Sequence, residues 1–134
     1  MLTTIQDLTF VTLIWDDECN ALILQWHGGF KGRNLRAGLD AGLEEFKKHP
    51  GARWIGDTTE IGVIGRDEQE WVNTSWFPRF LATGVRFMAV VQPAQVIARM
   101  SVDEIVSKIP EAQLTIRNCA TLAEARDWVL QQGT

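Results

Sequence analysis

Three groups of residues in this 134-residue chain carry side chains able to do chemistry. The first is Asp57-Thr58-Thr59, a carboxylate followed by two hydroxyls. A hydroxyl in an exposed loop is a phosphoacceptor, and a phosphate adds about −1.5 to −2 charges that remake the surface a partner meets. Thr58 and Thr59 are the two candidates. The same residues are also good turn formers, because Asp and Thr side chains bond back to nearby backbone. The second group is the aromatic set Trp71, Trp76, Phe77 and Phe80. Such bulk either packs against a sheet or lines an apolar pocket or partner surface.

The third group is His27-Gly28-Gly29-Phe30-Lys31-Gly32-Arg33. Glycines between a strand and a helix are the raw material of phosphate cradles. The Lys-Ser/Thr ending of a P-loop is missing, however, so a tight strand-to-helix connection is the simpler reading. If the strands beside these loops are parallel neighbours, the His27 loop, the Asp57 loop and Gln92-Pro93 meet at one sheet edge. His27, Asp57, Thr58 and Arg66 then come within reach, and a His27–Asp57 acid/base pair is the one enzymatic option. Little else favours catalysis. Two histidines, His27 and His49, cannot supply a histidine-based metal cluster, and no nucleophile elbow is present. No catalytic residue, metal or cofactor is assigned.

The elements that must hold these groups follow from apolar patterning. Leu8–Trp15 and Ala21–Trp26 flank the polar turn Asp16–Asn20 and read as an antiparallel hairpin. Asn34 is placed to cap a helix from Leu35 to about Lys48, with Leu35, Leu39, Leu43 and Phe46 as its buried stripe. Gly38 and Gly42 weaken that helix by roughly 1 kcal/mol each, and close approach to the sheet is the expected compensation. Arg53–Gly56 is a third strand. Asp67 with Glu70 resembles a capping box starting the aromatic helix, which Pro78 must kink or end. Arg86–Val91 and Leu114–Cys119 are further strands. Between them lies a helix with Pro93 in its first turn and a restart at the capping box Ser101–Glu104. Thr121 and Glu124 open the last helix, lined by Leu122, Ala125, Trp128 and Val129.

The order β-β-α-β-α-β-α-β-α predicts an α/β domain: five strands, mostly parallel, the first antiparallel, with helices packed on the sheet. The length suits one domain with its own core. A net charge of −4 and scattered lysines and arginines argue against nucleic-acid binding. No run approaches the ~20 apolar residues of a membrane span, and no secretory signal is visible. Cys19 and Cys119 fit free thiols in a reducing cytosol, so a cytoplasmic protein is expected.

The order of elements and several short signatures resemble the SpoIIAA-like branch of the STAS superfamily, whose fold is similar to CRAL-TRIO lipid-transfer domains. The likeness rests on Asp57 ending the third strand, on Trp71 and Trp76-Phe77-Pro78, and on Gly84-Val85-Arg86 leading into Ala89-Val90-Val91. Ala98-Arg99-Met100-Ser101 and Ala123–Leu130 add to it, and it covers about Leu8 to Leu130. In anti-anti-sigma STAS domains an Asp-Ser/Thr pair ends this strand and its hydroxyl is phosphorylated by a partner kinase, which the resemblance carries onto Thr58. Glu60 and a longer loop stand here where those domains continue into Ser-Gly and an apolar helix.

The resemblance implies a non-enzymatic regulatory or binding domain. It would meet a protein partner or small ligand through the Asp57–Arg66 loop and the aromatic helix. The alternative it offers is a carrier of a small apolar ligand, with Trp71, Trp76 and Phe80 lining the pocket. It also implies a homodimer formed through edge strand Leu8–Trp15 or the aromatic helix.

Overall fold

One strand more than expected is present. The computed structural model describes residues 1–28, 32–110 and 112–132. Its sheet has six strands, in spatial order β1 (Leu2–Asp7), β2 (Val11–Asp16), β3 (Ala21–Trp26), β4 (Arg53–Asp57), β5 (Phe87–Val91) and β6 (Thr115–Cys119). β1–β2 and β2–β3 pair antiparallel, and β3 through β6 pair parallel. The α/β class and mostly parallel sheet therefore hold, while the five-strand count is corrected to six. Leu2–Asp7 escaped notice because it is exposed along its whole length and so shows no in-out alternation. Leu8–Trp15 is corrected as well. Thr9 turns the chain at φ 72°, β2 starts at Val11, and β1 rather than β2 forms the edge.

The helices are α1 (Gly32–Phe46), α2 (Arg66–Trp71), α3 (Phe77–Leu81), α4 (Val96–Val106) and α5 (Leu122–Gln131). A π-helical turn, Val72–Trp76, joins α2 to α3. Strand order follows chain order, so right-handed crossovers place every connecting helix on one face. Side chains from α1, the α2–α3 segment and α4 accordingly share a core with Val11, Leu13, Leu22, Leu24, Trp54, Met88 and Val90. On the other face, Ala125 and Val129 of α5 pack with Ile23, Ile55, Ala89 and Val91.

Local signals fared unevenly. Glu124 N–H donates to Thr121 Oγ1 at 3.1 Å, the expected cap. Asn34 lies inside α1 instead of capping it, and α4 begins at Val96, past Pro93. Gly65 caps α2 without a side-chain bond, so the Asp67–Glu70 box is not formed. Ser101 does not restart a helix. Its hydroxyl donates to the Ala98 carbonyl at 2.7 Å and accepts the Ile64 N–H at 3.0 Å, so α4 runs through unbroken. Pro78 does not end its helix either. The widened turn before it, closed by Phe77 N–H on the Val72 carbonyl, shifts the register where a proline ring would clash.

The close approach of α1 is realised. A Cβ on Gly38 would stand 2.7 Å from Trp26 Cη2, and one on Gly42 would stand 2.8 Å from both Leu24 Cδ2 and Trp54 Cη2. On the opposite face, fully buried Asp16 accepts from Arg126 Nε at 2.6 Å and ties α5 to the hairpin. Burial pushes the Asp16 carboxyl up, but the bonds from Arg126 and Cys19 outweigh it and leave it below its ordinary value of 3.8. Burial and the Asp16 charge raise the neighbouring Cys19 thiol to about 11, which makes it a poor nucleophile at neutral pH.

Two outcomes follow. Gly42→Ala gains roughly 1 kcal/mol of helix propensity yet loses about 1–3 kcal/mol to overpacking, so urea denaturation should show a net loss. A carboxyl lowered in the folded state stabilises above its unfolded value of 3.8 and loses that contribution as pH falls through the lower folded value. Arg126→Met should therefore be less stable at pH 7 and show a shallower acid limb in a pH series of thermal melts.

Candidate functional site

Alternation along β4 decides what the polar corner can do. Trp54 and Gly56 face the three-helix side, whereas Ile55 and Asp57 face α5. Asp57 and Thr58 thus part company. Asp57 is buried, accepting from Gln25 Nε2 at 3.3 Å and from Thr59 N–H and Oγ1 at 3.2 and 2.6 Å. Thr58 turns inward on the other side, 8% exposed, and both its N–H and its hydroxyl donate to the Val91 carbonyl. Thr59 is the exposed hydroxyl of the pair.

His27 is not brought to Asp57. Its ring nitrogens meet Thr12 Oγ1 at 2.9 Å and Glu60 Oε2 at 3.6 Å, while Arg66 is exposed and bonds neither His27 nor Asp57 among the described residues. The acid/base pair is therefore not formed in this arrangement, where His27 meets Thr12 and Glu60 and Asp57 meets Gln25 and Thr59. Gly29, Phe30 and Lys31 of the glycine loop lie outside the described residues. Among those described, no group of three or more His, Cys, Asp or Glu could hold a metal, and no helix is long and apolar enough to cross a membrane.

The aromatic set divides. Trp71 stands outside, half-buried beneath the guanidinium groups of Arg36 and Arg79, whose carbons lie 5.2 and 5.9 Å from its ring. Trp76 is buried, donates from Nε1 to the Leu39 carbonyl at 2.8 Å, and stacks on Phe80 with centroids 4.7 Å apart. Trp54 meets both of them edge to face, at 5.3 and 5.0 Å. Phe77 is buried beside Trp76. The π-helical turn puts Val72, Trp76, Phe77 and Phe80 on the inner side and leaves Trp71 out.

Beneath this inner face lies an apolar cavity of about 90 Å³. Trp54, Gly56, Met88 and Val90 form its floor, and Trp76, Phe77, Val102 and Ile105 its roof. Trp71 and Phe80 do not line it, which corrects the pocket expected from the resemblance: Phe80 packs behind Trp76, and Trp71 lies outside. At the end where the parallel strands finish, Thr58, Ile61 and Ile64 line it.

Those two isoleucines belong to the Asp57–Arg66 loop, which is latched at three places. Ile61 N–H donates to the Thr58 carbonyl at 3.0 Å, Ile64 N–H to Ser101 Oγ, and Gln69 Nε2 to the Ile64 carbonyl at 2.9 Å. Between and after them, Gly62 and Gly65 have nothing within 4 Å of where a Cβ would stand.

The chain matches no known family model, no curated protein and no solved structure. The reading of the site therefore rests on its own geometry.

Gly56 is the residue the sequence alone did not single out. A glycine within a buried strand is a mark of close approach by a ligand or another backbone, and that was the available signal. A Cβ there would have one neighbour, Trp54 Nε1 at 3.7 Å, so the missing side chain leaves part of the cavity. Gly56→Ala should raise stability by about 0.5–1 kcal/mol, through a smaller void and a less flexible unfolded chain. A higher melting temperature together with weaker uptake of small apolar molecules is the expected pair of readings.

Proposed function

We propose that this protein is a non-enzymatic binding domain. It takes a small apolar ligand between Trp54, Gly56, Met88 and Trp76, and it reports occupancy through the Asp57–Arg66 loop. The observation that carries this reading is the cavity itself, lined by side chains of the sheet and helices and by Ile61 and Ile64 of the loop. Apolar cavities of about 150 Å³ stay dry and take up benzene. At about 90 Å³ this one is smaller, so a ligand of that size must move a wall. The sheet and helices are packed against each other, whereas the loop carries two glycines and is held by a few hydrogen bonds. It is the wall that yields.

Binding would thus expel Ile61 and Ile64 and release Thr58 from the Val91 carbonyl, which couples the two roles expected of this region. Beside the loop, Val63 and, on α4, Val96, Ile97 and Met100 are exposed, an apolar surface suited to a protein partner that reads the loop. Phosphorylation at Thr58 belongs to the released loop, because the closed loop buries that hydroxyl; Thr59 is reachable in both states. This reading keeps the domain among SpoIIAA-like STAS proteins and draws on their CRAL-TRIO relatives for the location of the ligand. It assigns self-association to the outer edge of β1, where Leu2 and Ile5 are exposed, and not to the aromatic helix, whose rings are mostly buried.

Saturating benzene, followed by methyl NMR and amide hydrogen exchange, tests the reading. Methyl signals of Met88, Val90, Val102 and Ile105 should shift, and the amides of Ile61 and Ile64 should exchange at least about tenfold faster as their latches open. Unmoved methyl signals would refute ligand entry. Shifted methyls with unchanged loop exchange would refute the loop as the reporter.

A further inference from the structure

Four buried side chains lining the cavity carry a polar group, Trp26, Thr58, Trp54 and Trp76, and Trp26 is not without a partner. Thr58 Oγ1 donates to the Val91 carbonyl, and Trp76 Nε1 donates to the Leu39 carbonyl at 2.8 Å. The one that remains is Trp54 Nε1. Trp54 is only 3% exposed and lines the cavity, and no hydrogen bond from its indole N–H is found among the described residues. Its nitrogen lies 3.7 Å from the point where a Gly56 Cβ would stand, and Gly56 is itself part of the cavity wall. The unpaired donor therefore borders the space that the glycine leaves empty.

A ligand acceptor at this position would gain that N–H as a partner. Chemistry around the donor narrows the ligand further. Much of the rest of the lining is hydrocarbon or thioether, from Leu35, Ile61, Val72, Met88 and Val102. No cation or carboxylate lines the cavity, so a charged group would be desolvated there without compensation.

Resting on the apolar-ligand reading above, we propose that Trp54 Nε1 is the polar anchor of the site and that the ligand is a small neutral molecule. Its body is apolar, and it carries one hydrogen-bond acceptor, such as a ketone, aldehyde or ether oxygen, and no charge. Gly56 is glycine because the acceptor occupies the place of its side chain.

Cyclohexanone and methylenecyclohexane test this directly, since they share shape and differ in C=O against C=CH2. Each is titrated into the wild-type protein and into Trp54→Phe, with binding followed by methyl shifts and the indole N–H signals recorded in parallel. Loss of one indole signal in the variant identifies Trp54, and the wild-type reading needs no variant to fold. The ketone should move the Trp54 indole proton downfield, and its affinity should fall about tenfold in Trp54→Phe, while the alkene's affinity changes less than about twofold. If both molecules bind, the ketone leaves the indole proton in place and both lose affinity equally, the anchor is refuted and the cavity reading survives. If neither molecule binds wild-type protein, the cavity reading falls with it.

Discussion

Two indoles have to be housed between one sheet and the helices on its face, and most of the architecture answers that constraint. Trp54 rises from a central strand and Trp76 descends from the π-helical turn, meeting edge to face at 5.3 Å. α1 can lie over Trp54 only because Gly42 offers no side chain, with Trp54 Cη2 2.8 Å from where a Cβ would be. The α2–α3 segment cannot come equally close, because Trp76, Phe77 and Phe80 stand between its backbone and the sheet. Where Trp54 gives way to Gly56 along β4, the helix layer does not descend to fill the gap. The cavity is thus a consequence of large rings beside a missing side chain, in an interior otherwise packed to the density of a crystal.

Elements with strong periodicity were legible in the sequence. Ala21–Trp26 was placed to the residue, and the stripe Leu35, Leu43 and Phe46 does face the core. The cost of Gly38 and Gly42 was correctly traced to close approach. What escaped was decided by partners distant in the chain. Ser101-Val102-Asp103-Glu104 has the spacing of a helix start, yet Ile64, 37 positions away, uses the serine hydroxyl inside a continuous helix. β1 has no buried face, so no pattern announces it.

The site was legible as a region and not as a mechanism. Loop and aromatic helix do adjoin, but through the interior, with isoleucines in place of the polar residues that first drew notice. Strand alternation explains why. Asp57 and Thr58 look like one motif when written in sequence, yet a half-turn of the backbone sends them to opposite faces of the sheet. A void also has no residue type of its own, so only the glycine at its edge could have hinted at it.

The most direct measurement is diffraction from a crystal of this protein held under xenon pressure, since xenon seeks dry apolar space without needing a hydrogen bond. A xenon peak between Gly56 and Trp76 is the result predicted. Xenon bound elsewhere with nothing between Gly56 and Trp76 would contradict it.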